Sequence, residues 1–255
     1  MAEVRLKHRV RHLWIDLDGT LLAQRKGALY WRFLRTSLQY LYRNARVNPI
    51  RGLRVITAVR KALEQAGTGE LNDARATRAL ARELSIPEGT ARAMVRALMI
   101  QAFANARDCF YPVPGAREFV EWASRYFTLS VATNPLWPRE AALMRLEWAG
   151  IDSARFQFIA HAGEMSTCKP HVEYYREFGR ICASGEDNAL MIGDNPRKDG
   201  PAADIGVPVF LLDFRTGAPK AIAPADHNGV PVWRGNFQDL QSLLELNLKE
   251  WETRL

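Results

Sequence analysis

The chain reads as an α/β protein, a doubly wound parallel sheet with an all-helical segment inserted near its start. Short apolar runs alternate with stretches of helical periodicity from about residue 111 onward. Alternating strands and helices build a parallel sheet with helices on both faces. Residues that carry chemistry recur directly after the apolar runs, and such sheets bind ligands at the carboxyl ends of their strands. Between about residues 23 and 110 the strand pattern disappears and only helical spacing remains.

The first strand covers about 10–18, where Leu13-Trp14-Ile15 leads into Asp16-Leu17-Asp18-Gly19-Thr20. A strand period of two puts Asp16 and Asp18 on one face. Asp is a poor strand former, so two of them ending an apolar strand require a reason. Gly19 and Thr20 allow a sharp turn that sets a hydroxyl and open N–H groups beside the acids. This combination suits a metal-assisted nucleophile with a proton-transfer partner. Four helices follow near 28–45, 50–66, 71–84 and 89–106, broken most clearly at Gly67-Thr68-Gly69 and Ile86-Pro87-Glu88-Gly89. Pro112 and Pro114 precede a helix over 115–126. The second strand, 127–134, closes on Val131-Ala132-Thr133-Asn134, and Pro138 opens a helix over 139–150. A third strand at 156–161 is followed by Lys169-Pro170 and a helix over 171–183. The fourth, 189–194, runs into Gly193-Asp194-Asn195-Pro196-Arg197-Lys198-Asp199-Gly200, and a fifth covers 207–213. All four motifs therefore fall at strand ends around one cleft. The tail from 213 to 255, with Trp233, Phe237 and Trp251, is expected to pack on the chain's own core.

Taken together these motifs resemble the haloacid-dehalogenase-like superfamily of phosphohydrolases, whose four motifs are D-x-D-G-T, a Thr or Ser, a Lys, and a paired acidic motif. The resemblance runs from about residue 13 to 213, and the segment between the first two motifs matches only in placement. It implies a Rossmann-like catalytic core formed by residues 1–22 and 111–255, with residues 23–110 as a mobile helical cap that closes over the cleft, excludes water and selects the substrate. Asp16, at the position of the first aspartate, is then the nucleophile that forms an aspartyl-phosphate. Asp18 is the general acid and then base, and an environment that favours its protonated form is expected. Mg²⁺ is the implied cofactor, held by Asp16, Asp194 and the backbone carbonyl of Asp18. Asp199 orients a metal-bound water or pairs with Lys169. The Thr133 hydroxyl and the backbone N–H groups of Asn134 and Gly19 donate to phosphate oxygens, while Lys169 balances charge on Asp16 and on the transferring phosphoryl group. Dehalogenase members lack an acid at the position of Asp18, because a halide leaving group needs no proton. The expected activity is therefore Mg²⁺-dependent hydrolysis of a small phosphate monoester. The alternatives are a phosphomutase on the same core and a catalytically idle ligand-binding protein.

Composition agrees with a globular enzyme: 255 residues give room for one large domain or a core plus an insert, and 47% hydrophobic with 25% charged residues excludes a disordered chain. No apolar stretch approaches the roughly 20 residues that span a bilayer, and residues 1–12 are basic without the apolar run of a secretion signal. Cys109, Cys168 and Cys182 are an odd number without C-x-x-C spacing, which predicts a reduced, cytoplasmic protein without a zinc or disulfide frame. Cys168, beside the motif lysine, is expected to be a buried bystander thiol. Residues 23–110 hold 16 Lys and Arg against 6 Asp and Glu, a charge of +10 in a chain of net +7. A basic lid of this kind attracts small anionic phosphate esters. Arg25, Lys26, Arg32 and Arg35 are the candidates for substrate contact, and Arg43, Arg46, Arg51 and Arg54 form a second group expected to face water. Nucleic acid is not the expected ligand, for the chain has no zinc-finger spacing, RNA-recognition signature or helix-turn-helix signal. His161 and Glu164 read as ordinary loop polarity. Phosphoglycolate, nucleoside monophosphates and sugar phosphates all suit these features, and no pattern specifies an oligomer.

Overall fold

The computed structural model describes residue 6 and residues 8–64, 69–213 and 229–253. Residues 1–5 and 7 of the basic start, the predicted helix end at 65–66, Gly67-Thr68 of the first break, and residues 214–228 and 254–255 of the tail lie outside the described residues. In chain order the elements are β1 (His12–Ile15), β2 (Leu22–Gln24), α1 (Lys26–Ala45), α2 (Pro49–Glu64), α3 (Asn72–Leu84), α4 (Glu88–Asn105) and β3 (Phe110–Pro112). There follow α5 (Ala116–Ala123), β4 (Thr128–Val131), α6 (Arg139–Trp148), β5 (Phe156–Ile159) and α7 (Val172–Cys182). The last are β6 (Ala189–Gly193), the short α8 (Pro196–Asp199), β7 (Val209–Leu212), β8 (Val232–Gly235) and α9 (Phe237–Glu252).

Six strands form one parallel sheet in the order β5-β4-β1-β6-β7-β8. β1 lies inside it, and Leu13, Trp14 and Ile15 are fully buried. An unbroken apolar run is what a strand covered on both faces requires. Leu13 and Ile15 face the layer that holds α5, α6 and α9. Trp14 faces α7 and meets Phe178 edge-on at 5.2 Å. Because Ile15 stands level with Val131 on one side and Ile192 on the other, three adjacent strands release their chains at the same edge. That edge is where Asp16, Thr133 and Asp194 emerge.

The helices α1 to α4 separate β2 from β3, which pair antiparallel with Leu22 opposite Pro112 and Gln24 opposite Phe110. This two-strand ladder carries the chain out to the helices and back. The helices have an apolar cluster of their own around Leu41, Val47, Val55, Leu80 and Ala91. The two strands of this ladder, the short α8, β8 and α9 escape the sequence reading. The tail does pack on the core, with Trp233, Phe237, Leu240 and Leu244 buried in the main cluster. α9 opens on a reciprocal cap in which Asn236 accepts from the N–H of Gln238 and Asp239, and Asp239 accepts from the N–H of Asn236.

Candidate active site

Asp16 leaves β1 with its N–H donating to the carbonyl of Ile192 at 2.8 Å, which ties it to β6. Asp194 follows β6 directly, and α8 returns Asp199 toward the same point. Ligand oxygens of Asp16, Asp194 and Asp199 all lie within 4.8 Å of one another. Two glycines make this approach possible. A Cβ on Gly19, whose φ is +104°, would sit 2.4 Å from an oxygen of Asp194. A Cβ on Gly193 would sit 2.2 Å from the carboxyl carbon of Asp199. Neither position tolerates a side chain without displacing a carboxylate.

Lys169 completes the cluster from the loop after β5. Its Nζ is buried and donates to Asp16 Oδ1 at 2.9 Å and to Asp199 Oδ1 at 2.6 Å. Burial works against the ammonium charge, but the carboxylates of Asp16 and Asp199 more than offset it, so Lys169 is held well above the usual lysine range. Burial pushes Asp16 up to about 7, with Lys169 pulling it down and Asp199 and Asp18 pushing it up. Asp194 is raised by burial and then by Asp199, while Lys26 pulls the other way. When all three carboxylates are ionised they exceed the one ammonium by two negative charges. An all-oxygen donor set with that deficit fits a hard divalent cation such as Mg²⁺.

Other expected residues stand as follows. Thr133 is buried at the end of β4, and its carbonyl accepts from the Tyr174 hydroxyl at 2.8 Å. The Asn134 side chain accepts from the N–H of Lys169 at 3.1 Å, so it fixes the lysine loop. The N–H of Gly19, expected to face phosphate, is instead committed to the carbonyl of Leu22 at 2.8 Å within its own turn. The carboxylate of Asp18 stands outside the three-carboxylate cluster. The buried guanidinium of Arg145 on α6 pairs with its Oδ2. Asp199 does pair with Lys169, and its Oδ2 also accepts from the N–H of Asn195 at 2.9 Å. Arg32, expected near the substrate, is tied at the surface to Asp108 and to the carbonyl of Asn105. Lys26 is exposed and close enough to act on Asp194. Arg43, Arg46, Arg51 and Arg54 are exposed, as expected. His161 and Glu164 contact each other at 3.8 Å. The Cys168 thiol is buried and pushed up to about 11 by that burial, so it stays protonated and inert at neutral pH. All three cysteines are free and buried.

The supporting residues are the ones the sequence reading missed. Glu177 on α7 accepts from the N–H and hydroxyl of both Ser166 and Thr167, which anchors the approach to Lys169. Tyr174 and Tyr175 lie one turn before it, with Tyr175 donating to the carbonyl of Lys198. From the helical segment, the Asn72 side chain donates to the carbonyls of Pro135 and Thr167, and its N–H donates to the carbonyl of Met165. The start of α3 is thus fastened across the loops that carry Asn134 and Lys169. A tyrosine pair on the helix after the motif lysine was the one available signal, since these polar tips on an apolar face need buried partners. A depression of about 550 Å³ lined by Arg9, Arg11, Arg125, Tyr126 and Leu248 lies at the opposite end of β1 and β4. No motif residue lines it, so the chemistry is not located there.

A model of the haloacid dehalogenase-like hydrolases matches residues 14–211. No curated protein sequence matches the chain. Among solved structures, a 2-haloacid dehalogenase from Pseudomonas syringae pv. Tomato DC3000 is similar over 92% of this chain and 98% of its own, at 19% identity and a TM-score of 0.61. A HAD phosphatase from Thermococcus onnurineus is similar over 92% and 98%, at 14% identity and a TM-score of 0.56. A predicted phosphoglycolate phosphatase from Haemophilus somnus 129pt is similar over 93% and 99%, at 18% identity and a TM-score of 0.52. At these identities the likeness shows the fold and leaves the substrate to the site itself.

Proposed function

The chain belongs to the haloacid dehalogenase-like hydrolase family, and within it we propose that it is a Mg²⁺-dependent phosphatase acting on a small phosphate monoester. The observation that carries this reading is Asp18, a second acid two residues after Asp16, its side chain 28% exposed at the edge of the cluster. Displacing a halide needs no proton donor, whereas expelling an alcohol does. The carboxylate set points the same way. Asp16, Asp194 and the backbone carbonyl of Asp18 would hold the cation, with Asp199 behind them. Mg²⁺ bound there supplies the positive charge that an anionic phosphate needs to approach an anionic carboxylate.

In this reading Asp16 attacks phosphorus as the ester P–O bond breaks, and Asp18 gives its proton to the departing oxygen. Water then attacks the phosphoryl group on Asp16 and yields its proton to Asp18, which restores both acids and releases phosphate. Lys169 holds Asp16 in place through both steps and faces the transferring group with positive charge. The Thr133 hydroxyl would donate to a phosphate oxygen, while Asn134 fixes the loop that carries Lys169. Residues 23–110 serve as the cap over the core formed by 1–22 and 111–255, and Lys26 is the cap residue set toward Asp194. No helix among the described residues is long and apolar enough to cross a membrane, and the three reduced thiols suit a cytoplasmic enzyme.

The test is phosphate release from a panel of monoesters with Mg²⁺ and with a chelator. Turnover that needs Mg²⁺ and falls at least 100-fold in Asp16→Asn is expected (order of magnitude for losing a covalent nucleophile). Binding of an ester without turnover, or halide release from a 2-haloacid, would overturn the reading.

A further inference from the structure

Arg145 is an arginine where a helix of this fold packs its apolar face. Its neighbours on α6, Ala141, Ala142 and Leu146, are buried in the main core, and its own side chain is 1% exposed. Burying a guanidinium is costly unless its donors find partners, and here Nε and Nη1 both have one. Nε donates to the carbonyl of Ala141 at 2.9 Å and Nη1 donates to Asp18 Oδ2. The face of the Phe103 ring on α4 covers the cation, with Cζ 4.9 Å from the ring centroid. The other oxygen of the same carboxylate, Asp18 Oδ1, is buried and has no hydrogen-bond partner among the described residues. An unmatched buried oxygen costs free energy, so its bareness calls for a partner that arrives later.

We propose that Arg145 is the positioning residue for Asp18, holding Oδ2 so that Oδ1 alone faces the ester oxygen and carries the transferred proton. The assignment rests on the phosphatase reading and deepens it. The proton on Oδ1 passes to the alcohol oxygen as the P–O bond breaks and its electron pair stays on that oxygen. The incoming water later returns a proton to the same Oδ1. Arg145 touches neither substrate nor phosphorus. Through Phe103, a helix of the segment 23–110 supports the residue that aims the acid, so placement of that segment and aim of the acid are coupled.

A purely structural ion pair and a positioning pair differ in how the defect depends on the leaving group. The experiment compares pre-steady-state release of the alcohol from an alkyl phosphate with release of nitrophenolate from p-nitrophenyl phosphate, both at saturating Mg²⁺. Nitrophenolate departs as a stable anion and needs little help from an acid. Arg145→Gln is expected to slow the alkyl ester by roughly tenfold or more while leaving nitrophenolate release within about threefold, since a general acid contributes about 10²–10⁴-fold. Arg145→Lys should recover part of the alkyl rate. In an Asp18→Asn background, Arg145→Gln should add no more than about twofold, because two residues acting through one group are not additive. Equal slowing of both esters, or full additivity with Asp18→Asn, overturns the assignment and leaves the phosphatase reading standing. If the Arg145 variants fail to fold, Phe103→Leu carries the same comparison, with a smaller selective loss on the alkyl ester expected and an equal loss on both overturning it. No turnover of either ester by the unmodified protein overturns the phosphatase reading and this assignment with it.

Discussion

His12 shows how single residues tie this site to its scaffold. It begins β1, four residues before Asp16, and its Nε2 lies 2.8 Å from the Ser130 hydroxyl on β4. Burial pushes its imidazole from 6.5 down to about 4. The folded form therefore resists a proton that the unfolded chain accepts. Stability from this residue is complete at neutral pH and is lost as pH falls from about 6.5 to about 4, by up to about 3 kcal/mol. Thermal melts of the unmodified protein should drop more steeply between pH 7 and 4.5 than those of His12→Gln, which keeps a polar group without titrating there. Parallel curves would show that His12 is not the group responsible. The carboxylates and Lys169 were legible in the sequence because each directly follows an apolar run or sits in a short motif. Arg145, Glu177 and Asn72 were not. Arg145 pairs with Asp18 across 127 residues of sequence, Asn72 with Pro135 across 63 and Glu177 with Thr167 across 10, and only folding brings them together.

At the scale of elements, α8 is the piece on which the acidic loop depends. It is four residues long and cannot be stable as an isolated helix. Asn195 caps it, accepting from the N–H of Arg197 at 3.0 Å and Lys198 at 3.3 Å, and Pro196 occupies its first turn. The same residue's backbone holds Asp199, whose N–H donates to the Asn195 carbonyl at 2.7 Å. Asn195→Ala should cost about 1 kcal/mol, lowering Tm by roughly 2–4 °C for a chain of this size. It should also raise the Mg²⁺ concentration needed for half-maximal turnover, because Asp199 loses its fixed start. A titration unchanged in the variant would detach the cap from the site. The long periodic helices were readable in advance, the four inserted ones and α5 to α7, and so were the four strands that lead into motifs and β7. β8 is four residues with no motif after it. β2 and β3 have three residues each and exist only as each other's partners. α9 did carry a signal, since Phe237, Leu240, Leu243 and Leu244 recur at helical spacing after Asn236.

Across the whole molecule, charge is divided between two parts. The cluster of Asp16, Asp194 and Asp199 is negative in a chain that is positive overall, and the excess of +10 resides in residues 23–110. Some of that charge is spent locally. Arg32 is paired with Asp108, Arg60 with Glu64, and Arg96 with Glu140 on α6. Exposed pairs of this kind add little stability. Their arginines still contribute to the field that an approaching anion meets before it reaches the cleft. If the substrate is the proposed doubly charged ester, the basic helices would draw it in toward a site whose own carboxylates repel it without a cation. Such steering acts on encounter and not on the bond-breaking step. Raising ionic strength from about 20 to 200 mM shortens the screening length several-fold. It should therefore lower kcat/KM for the best monoester by roughly three- to tenfold while leaving kcat within about twofold. Lys26→Gln, at the rim beside Asp194, should flatten that salt dependence more than Arg54→Gln on the second, outward-facing group. Equal salt slopes for the two variants would mean that the basic segment acts only through its total charge, and a fall in kcat with salt would place the effect in the chemistry and not in the approach.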